Sequence, residues 1–216
     1  MDQAMQIVRS RAPSEIVDYG FVMDCLKNYS FPRTKLTQLL KTEALIRIKK
    51  GLYVFGPLYS RQPYSLEVLA NLIYGPSYVS LEWALHTYGM IPERVEEITS
   101  VTTKRSRMFT TPIGRFSYAH RPALAYSVGV ERRQISDYQG FLIATPEKAL
   151  VDLLTIRRGK VSKISEIAQL LFEDFRIEEE DLQKLDLSLL KKINDVYPHS
   201  TITLLIDFLS KELNHE

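Results

Sequence analysis

Between Pro32 and Phe55 the spacing of apolar residues switches from helical to alternating within a few positions, and this switch constrains the fold more than any other feature of the chain. Leu36, Leu39, Leu40 and Leu45 recur at close to helical spacing, so a helix here turns Arg33, Thr34, Lys35, Thr37, Gln38 and Lys41 toward water. Pro32 suits its first turn, where a missing N–H costs nothing. From Leu45 the pattern alternates: Ile46 and Ile48 point one way, Arg47 and Lys49 the other, as in a half-buried strand. Gly51, after Lys49 and Lys50, can take the positive φ of a tight hairpin, and Leu52 to Phe55 supply a β-prone return strand.

Val22, Leu26 and Tyr29 in Asp18–Tyr29 predict a helix ahead of the basic one, and a further helix is expected around Asp2–Ser10. Helix, basic helix, basic hairpin is the order of a small winged helix-turn-helix. On that reading Arg33, Thr34, Lys35, Thr37, Gln38 and Lys41 lie along a DNA major groove, while Arg47, Lys49 and Lys50 meet phosphate or the adjacent minor groove. Neutralising about six phosphates gives a log–log salt slope near −5. A charged hairpin can also be a sheet edge protected against aggregation. Agreement of charge with element order favours nucleic acid.

Composition narrows the remaining classes. A chain of 216 residues that is 45% hydrophobic can bury the core of a small domain joined to a medium one. No apolar run approaches the ~20 residues needed to span a bilayer, and Met1-Asp2-Gln3 does not begin a basic leader, so a cytoplasmic protein is expected. One cysteine, Cys25, excludes an internal disulfide and suggests a small core residue. His86, His120, His199 and His215 have no Cys or His at ligand spacing, and no Gly-rich phosphate loop, nucleophile elbow or HExxH occurs; no metal or cofactor is expected. Charge is uneven: residues 1–62 carry 10 basic and 5 acidic groups, residues 63–160 carry 12 and 9, and residues 161–216 carry 6 and 12. A basic front and an acidic tail suit a chain that meets nucleic acid at its N-terminal end.

Gly56-Pro57, followed by Ser60, Arg61, Gln62 and Pro63, is turn chemistry and closes a first domain, residues 1–58. Residues 59–160 read as an α+β domain. A helix is expected over Ser65–Tyr74, stopped by Gly75-Pro76, and another over Leu81–Tyr88 with Ser80 as N-cap and Gly89 as stop. Strands are expected at Ile98–Thr102, Met108–Thr111, Arg115–His120, Val130–Ile135 and Phe141–Ala144, with Pro112-Ile113-Gly114 as a hairpin turn. Thr145-Pro146 starts a further helix. Residues 161–216 read as a helical, acidic extension, with helices over Ser165–Phe175, Glu179–Val196 and Ser200–Leu213. The fold class is α+β: an N-terminal winged helix-turn-helix, then a mixed α+β domain with a helical C-terminal part.

Two further clusters carry chemistry. Lys104, Arg105 and Arg107, with Arg115 and Arg121 across the hairpin, read as a phosphate or RNA surface, supported by Thr102, Thr103 and Ser106, or as a solvated loop. Glu147, Lys148 and Asp152 read as a structural ion-pair group or as the acids and lysine of a nucleic-acid-processing enzyme. A metal nuclease wants such residues alternating on one strand face, whereas Glu147 and Lys148 are adjacent at a helix start. No catalytic residue is assigned.

Five strings resemble one family. Tyr78-Val79-Ser80-Leu81-Glu82-Trp83-Ala84-Leu85-His86-Thr87-Tyr88-Gly89-Met90-Ile91-Pro92-Glu93 comes first. Val101-Thr102, Lys104-Arg105-Ser106-Arg107 and Thr111-Pro112-Ile113-Gly114-Arg115-Phe116-Ser117-Tyr118 follow, then Ile143-Ala144-Thr145-Pro146-Glu147-Lys148-Ala149-Leu150-Val151-Asp152. Together they resemble the AbiEi family, the type IV antitoxins of abortive-infection systems, over roughly Ile16 to Arg158. The resemblance implies an N-terminal winged helix that binds inverted repeats in its own promoter. It also implies a larger part that neutralises a neighbouring nucleotidyltransferase-like toxin without forming a stable complex with it. A protein-binding antitoxin that sequesters its toxin through the C-terminal helices is the other reading of that part.

Overall fold

Aspartates open the first two helices. In the computed structural model, which describes residues 2–156 and 161–212, Asp2 accepts from the Ala4 N–H at 2.9 Å at the start of helix α1 (Gln3–Arg11). Asp18 accepts from the Phe21 N–H at 2.8 Å at the start of α2 (Tyr19–Cys25), so each satisfies an N–H the first turn leaves unpaired. The third helix, α3 (Pro32–Lys41), instead has proline in its first turn. A short strand missed in the sequence, β1 (Ile16–Asp18), separates α1 from α2 and pairs antiparallel with β3 (Leu52–Phe55), which pairs in turn with β2 (Leu45–Lys49). Gly51 turns the β2–β3 hairpin at φ 86, as expected.

This three-stranded sheet is covered on both faces. Val17, Leu45, Tyr53 and Phe55 pack with Met5, Val22, Leu26 and Leu39 of the three helices. Ile16, Ile48, Leu52 and Val54 belong to the core of the rest of the chain. All four residues of β3 are therefore buried, and the hairpin is clamped between two cores.

The remainder is built on a six-stranded mixed sheet in the order β6-β7-β5-β4-β9-β8. Its strands are β4 (Ser77–Val79), β5 (Glu97–Thr102), β6 (Arg107–Thr111), β7 (Gly114–His120), β8 (Val130–Ser136) and β9 (Gln139–Ala144). Five match the expected strands within two residues; β4 was too short to show a period. Helix α4 (Leu66–Ile73) precedes β4, and α5 (Leu81–Thr87) follows it. Ser80 does not cap α5, because its Oγ donates to Asp152 Oδ2 at 2.9 Å. Thr99 of β5 supplies the cap instead: its Oγ1 accepts from the Trp83 N–H at 3.0 Å and donates to the Ser80 carbonyl at 2.6 Å.

Helix α6 (Pro146–Ile156) carries Glu147, Lys148 and Asp152, and four further α-helices follow: α7 (Ile164–Gln169), α8 (Glu179–Gln183), α9 (Leu187–Val196) and α10 (Ser200–Glu212). A π-helical turn, Leu170–Asp174, continues α7. The single expected helix over Glu179–Val196 is divided, since Asp186 caps a new helix by accepting from the Ser188 and Leu189 N–H groups at 2.8 and 3.2 Å. Ile167, Leu171, Leu190, Ile193 and Leu205 share one core with the sheet. The boundary at residue 160, together with Leu213 and His215, lies outside the described residues. Among those described, no helix is long and apolar enough to cross a membrane.

Candidate nucleic-acid interface

At about 100° per residue, Arg33, Thr37, Lys41, Thr34 and Gln38 fall in one arc of roughly 140° around α3. All five are exposed, while Leu36 and Leu39 on the opposite side are buried. Arg33 leads this face. Its Nε donates to the Tyr19 hydroxyl at 3.2 Å, leaving the two terminal nitrogens of the guanidinium turned outward. Tyr19 is fastened in turn to the hairpin, its N–H donating to the Gly51 carbonyl at 2.9 Å. Tyr19 was not singled out in the sequence, and a lone tyrosine behind an N-cap carries no periodic signal.

Between α3 and the hairpin lies an open cleft of about 900 Å³, lined by Tyr19, Arg33, Leu36, Thr37, Arg47, Lys50, Gly51 and Tyr53. Three cations and no carboxylate line it. Arg47, Lys50 and Lys41 are exposed and form no ion pair among the described residues. An anion approaching this cleft therefore meets charge that internal pairing has not neutralised.

Two of the nine expected contact residues face elsewhere. Lys35 lies on the flank of α3, where its Nζ pairs with Asp2 Oδ2 at 3.0 Å and sits 5.8 Å from the Tyr29 ring. Lys49 leaves the side occupied by Arg47 because the β2–β3 register shifts between Arg47 and Lys49. That extra residue reverses the alternation, so Lys49 pairs with Leu52 and reaches the second core instead of solvent. Its Nζ donates to the Leu72 and Ile73 carbonyls at 2.6 and 2.8 Å, at the C-terminus of α4. Desolvation there, then the nearby Lys104, hold its pKa below the usual lysine value.

The second basic cluster does not assemble as one surface. Lys104 and Arg105 stand exposed at one end of the large sheet, with Arg107 stacked 4.8 Å from the Phe109 ring. Arg115 lies at the other end of β7, roughly 20 Å away along the strand, in a cleft with Glu82, Glu93, Glu96 and Glu97. Arg121 is buried, its guanidinium donating to the Asp152 carbonyl at 2.9 Å and to Thr155 Oγ1.

Glu147, Lys148 and Asp152 are 7%, 1% and 1% exposed. Glu147 accepts from the Asp186 N–H at 2.9 Å, and Asp152 is held by Lys148, Tyr78, Ser80 and Arg121. Burial and the adjacent carboxylate together push the Tyr78 hydroxyl far above the ordinary tyrosine range, so it remains a donor. Among the described residues, no group of histidine, cysteine and carboxylate side chains could hold a metal ion. Comparison with known protein families and with curated proteins finds no match for this chain.

Proposed function

We propose that this protein is a DNA-binding transcriptional repressor of its own operon and the antitoxin of an AbiE-like type IV toxin–antitoxin system. The order α1, β1, α2, α3, β2, β3 is that of a winged helix, with α3 as recognition helix and the β2–β3 hairpin as wing. The observation that carries the DNA reading is the cleft in which Arg33, Arg47 and Lys50 converge with no carboxylate beside them. Arginine at its edge suits guanine read bidentately, and Gln38 farther round the same face suits adenine. The partner is operator DNA with inverted repeats in the cytoplasm. The antitoxin role rests on the resemblance between Ile16 and Arg158, and its target is a neighbouring nucleotidyltransferase-like toxin countered without a stable complex.

With Lys35 and Lys49 engaged inside the protein, four cations remain on the α3 and wing surface: Arg33, Lys41, Arg47 and Lys50. Four phosphate contacts correspond to a salt slope of about −3.6 per protomer, shallower than the −5 expected from the sequence. The test is fluorescence anisotropy with the protein's own upstream DNA and a scrambled duplex over a salt series, repeated after Arg33, Arg47 and Lys50 are changed to alanine. Preferential binding with a slope at least that steep, lost in the triple variant, supports the repressor. Equal and weak binding to both duplexes overturns it.

A further inference from the structure

The loop between β5 and β6 holds Lys104, Arg105 and Ser106, with Arg107 opening β6, and it lies beside the wing. Lys49, next to the hairpin turn, donates to the carbonyls of Leu72 and Ile73, while Lys104 donates to the Gly75 carbonyl at 2.5 Å. Two ammonium groups from different parts of the chain thus end on the same helix terminus. Each lies close enough for Lys104 to perturb Lys49. The negative end of α4 compensates both charges, as cations at a helix C-terminus are compensated generally. Lys104 also packs 5.3 Å from the Tyr74 ring, whose hydroxyl donates to the Arg105 carbonyl at 3.3 Å. The loop is therefore fixed to the structure that fixes the wing.

The outcome is a row of exposed cations with no acid in the flanking sequence. Lys50 ends the wing, and Arg105 and Arg107 continue beyond the Lys49–Lys104 junction, all three exposed. No aspartate or glutamate occurs in residues 44–66 or 98–130, which supply both halves of the row. His120 holds the loop from its other side: its N–H donates to Ser106 Oγ at 2.9 Å, and its Nδ1 lies 2.9 Å from the Lys104 carbonyl. Like charges held together on a braced loop, with no ion pair among the described residues, are arranged for a polyanion.

We infer that the Lys104–Arg107 loop is a second DNA contact, which grips backbone phosphates of the duplex flanking the wing and so lengthens the bound site. The inference rests on the winged-helix reading above. Duplex DNA is favoured over a separate RNA ligand because the loop and the wing are tied to the same end of α4, so a duplex lying on the wing passes near the loop. Contacts of this kind position the protein and strengthen binding to every sequence alike.

The experiment compares wild type with Arg105→Gln/Arg107→Gln, side chains that make no hydrogen bond to the α4 terminus. Binding to the upstream duplex, to a scrambled duplex and to single-stranded RNA of the same sequence is measured over a salt series, with hydroxyl-radical footprints of the upstream duplex. The expected result is about tenfold weaker binding to both duplexes, with the salt slope shallower by about 1.8. The footprint should retract on the wing side only, and the melting temperature should stay unchanged. An unchanged slope and footprint overturns the inference while leaving the repressor standing, as does a loss confined to RNA. Wild type that fails to prefer the upstream duplex overturns the repressor reading first, and this inference with it.

Discussion

Lys148 Nζ lies 3.1 Å from Asp152 Oδ1, one turn along α6, with only 2% and 1% of the two side chains exposed. Every other demand of the pair is met within reach. Lys148 also donates to the Ala125 carbonyl; Asp152 Oδ2 accepts from Tyr78 at 2.8 Å and from Ser80 at 2.9 Å, and Arg121 Nε approaches Oδ1 at 3.7 Å. The group ties β4, the 3₁₀ turn at Ala123–Ala125 and the segment after β7 to one helix. This is why lysine is tolerated near the start of α6, where the helix dipole disfavours it.

Removing one partner from such a pair leaves a buried charge without compensation. Lys148→Met is expected to cost about 3–5 kcal/mol, roughly 10 °C or more in melting temperature. Lys148→Met/Asp152→Leu should cost less than the two single changes added together, because neither charge is then stranded. Thermal unfolding of the three variants decides the matter; additive losses would show that the pair is not coupled.

Lys49→Met removes the ammonium from the Leu72 and Ile73 carbonyls without touching the cleft between α3 and the β2–β3 hairpin. The expected outcome is a loss of about 1 kcal/mol in stability with the salt slope of DNA binding retained. Lys50→Ala should do the reverse, lowering the slope by about 0.9 with little change in stability. A Lys49 variant that loses slope as Lys50 does would place Lys49 on phosphate after all.

The contrast between these two neighbours shows what the sequence could and could not disclose. Helical and alternating periods located α3, the hairpin, Gly51 and most strands, because each is a local property of side-chain spacing. The shift after Arg47 has no such signature, and one extra residue was enough to move Lys49 to the opposite face. The pairing of Lys35 has no local signature either, because its partner, Asp2, caps another helix. Leu52-Tyr53-Val54-Phe55 carries a further signal: four consecutive apolar residues in a hairpin strand indicate burial on both faces, hence a second core against the hairpin. Arg115 and Arg121 are near Lys104 in sequence, but β7 carries Arg115 to its far end and Arg121, at the Lys104 end, is buried against Asp152.

Asn71 stands in for a strand. Its Oδ1 accepts from the Leu142 N–H at 2.6 Å, and its Nδ2 donates to the Leu142 carbonyl at 3.4 Å. Only Val79 and Ile143 pair between β4 and β9, so the Leu142 N–H lacks a ladder partner on that side. Asn71→Ala should cost about 1–2 kcal/mol and speed amide exchange at Leu142. Asn71→Asp should not rescue it, since one carboxylate oxygen would then oppose the Leu142 carbonyl. Full protection at Leu142 in the alanine variant would contradict this role.

His199 makes stability depend on pH through the start of α10. Its Nδ1 accepts from the Thr201 N–H at 3.2 Å, which requires that nitrogen to be unprotonated. Burial, and then the charge of Arg121, hold its pKa below the ordinary value of 6.5. The unfolded chain therefore binds a proton at His199 more readily than the native protein does. The contribution is complete above pH 6.5 and is lost as pH falls from there through the lowered native value. His199→Asn keeps a side-chain acceptor at the helix start but cannot be protonated in this range. Melting temperatures of wild type and variant, measured in steps from pH 7.5 to 5.5, should diverge on acidification, with wild type falling further. Parallel curves would exclude His199 as the source of any acid sensitivity in that window.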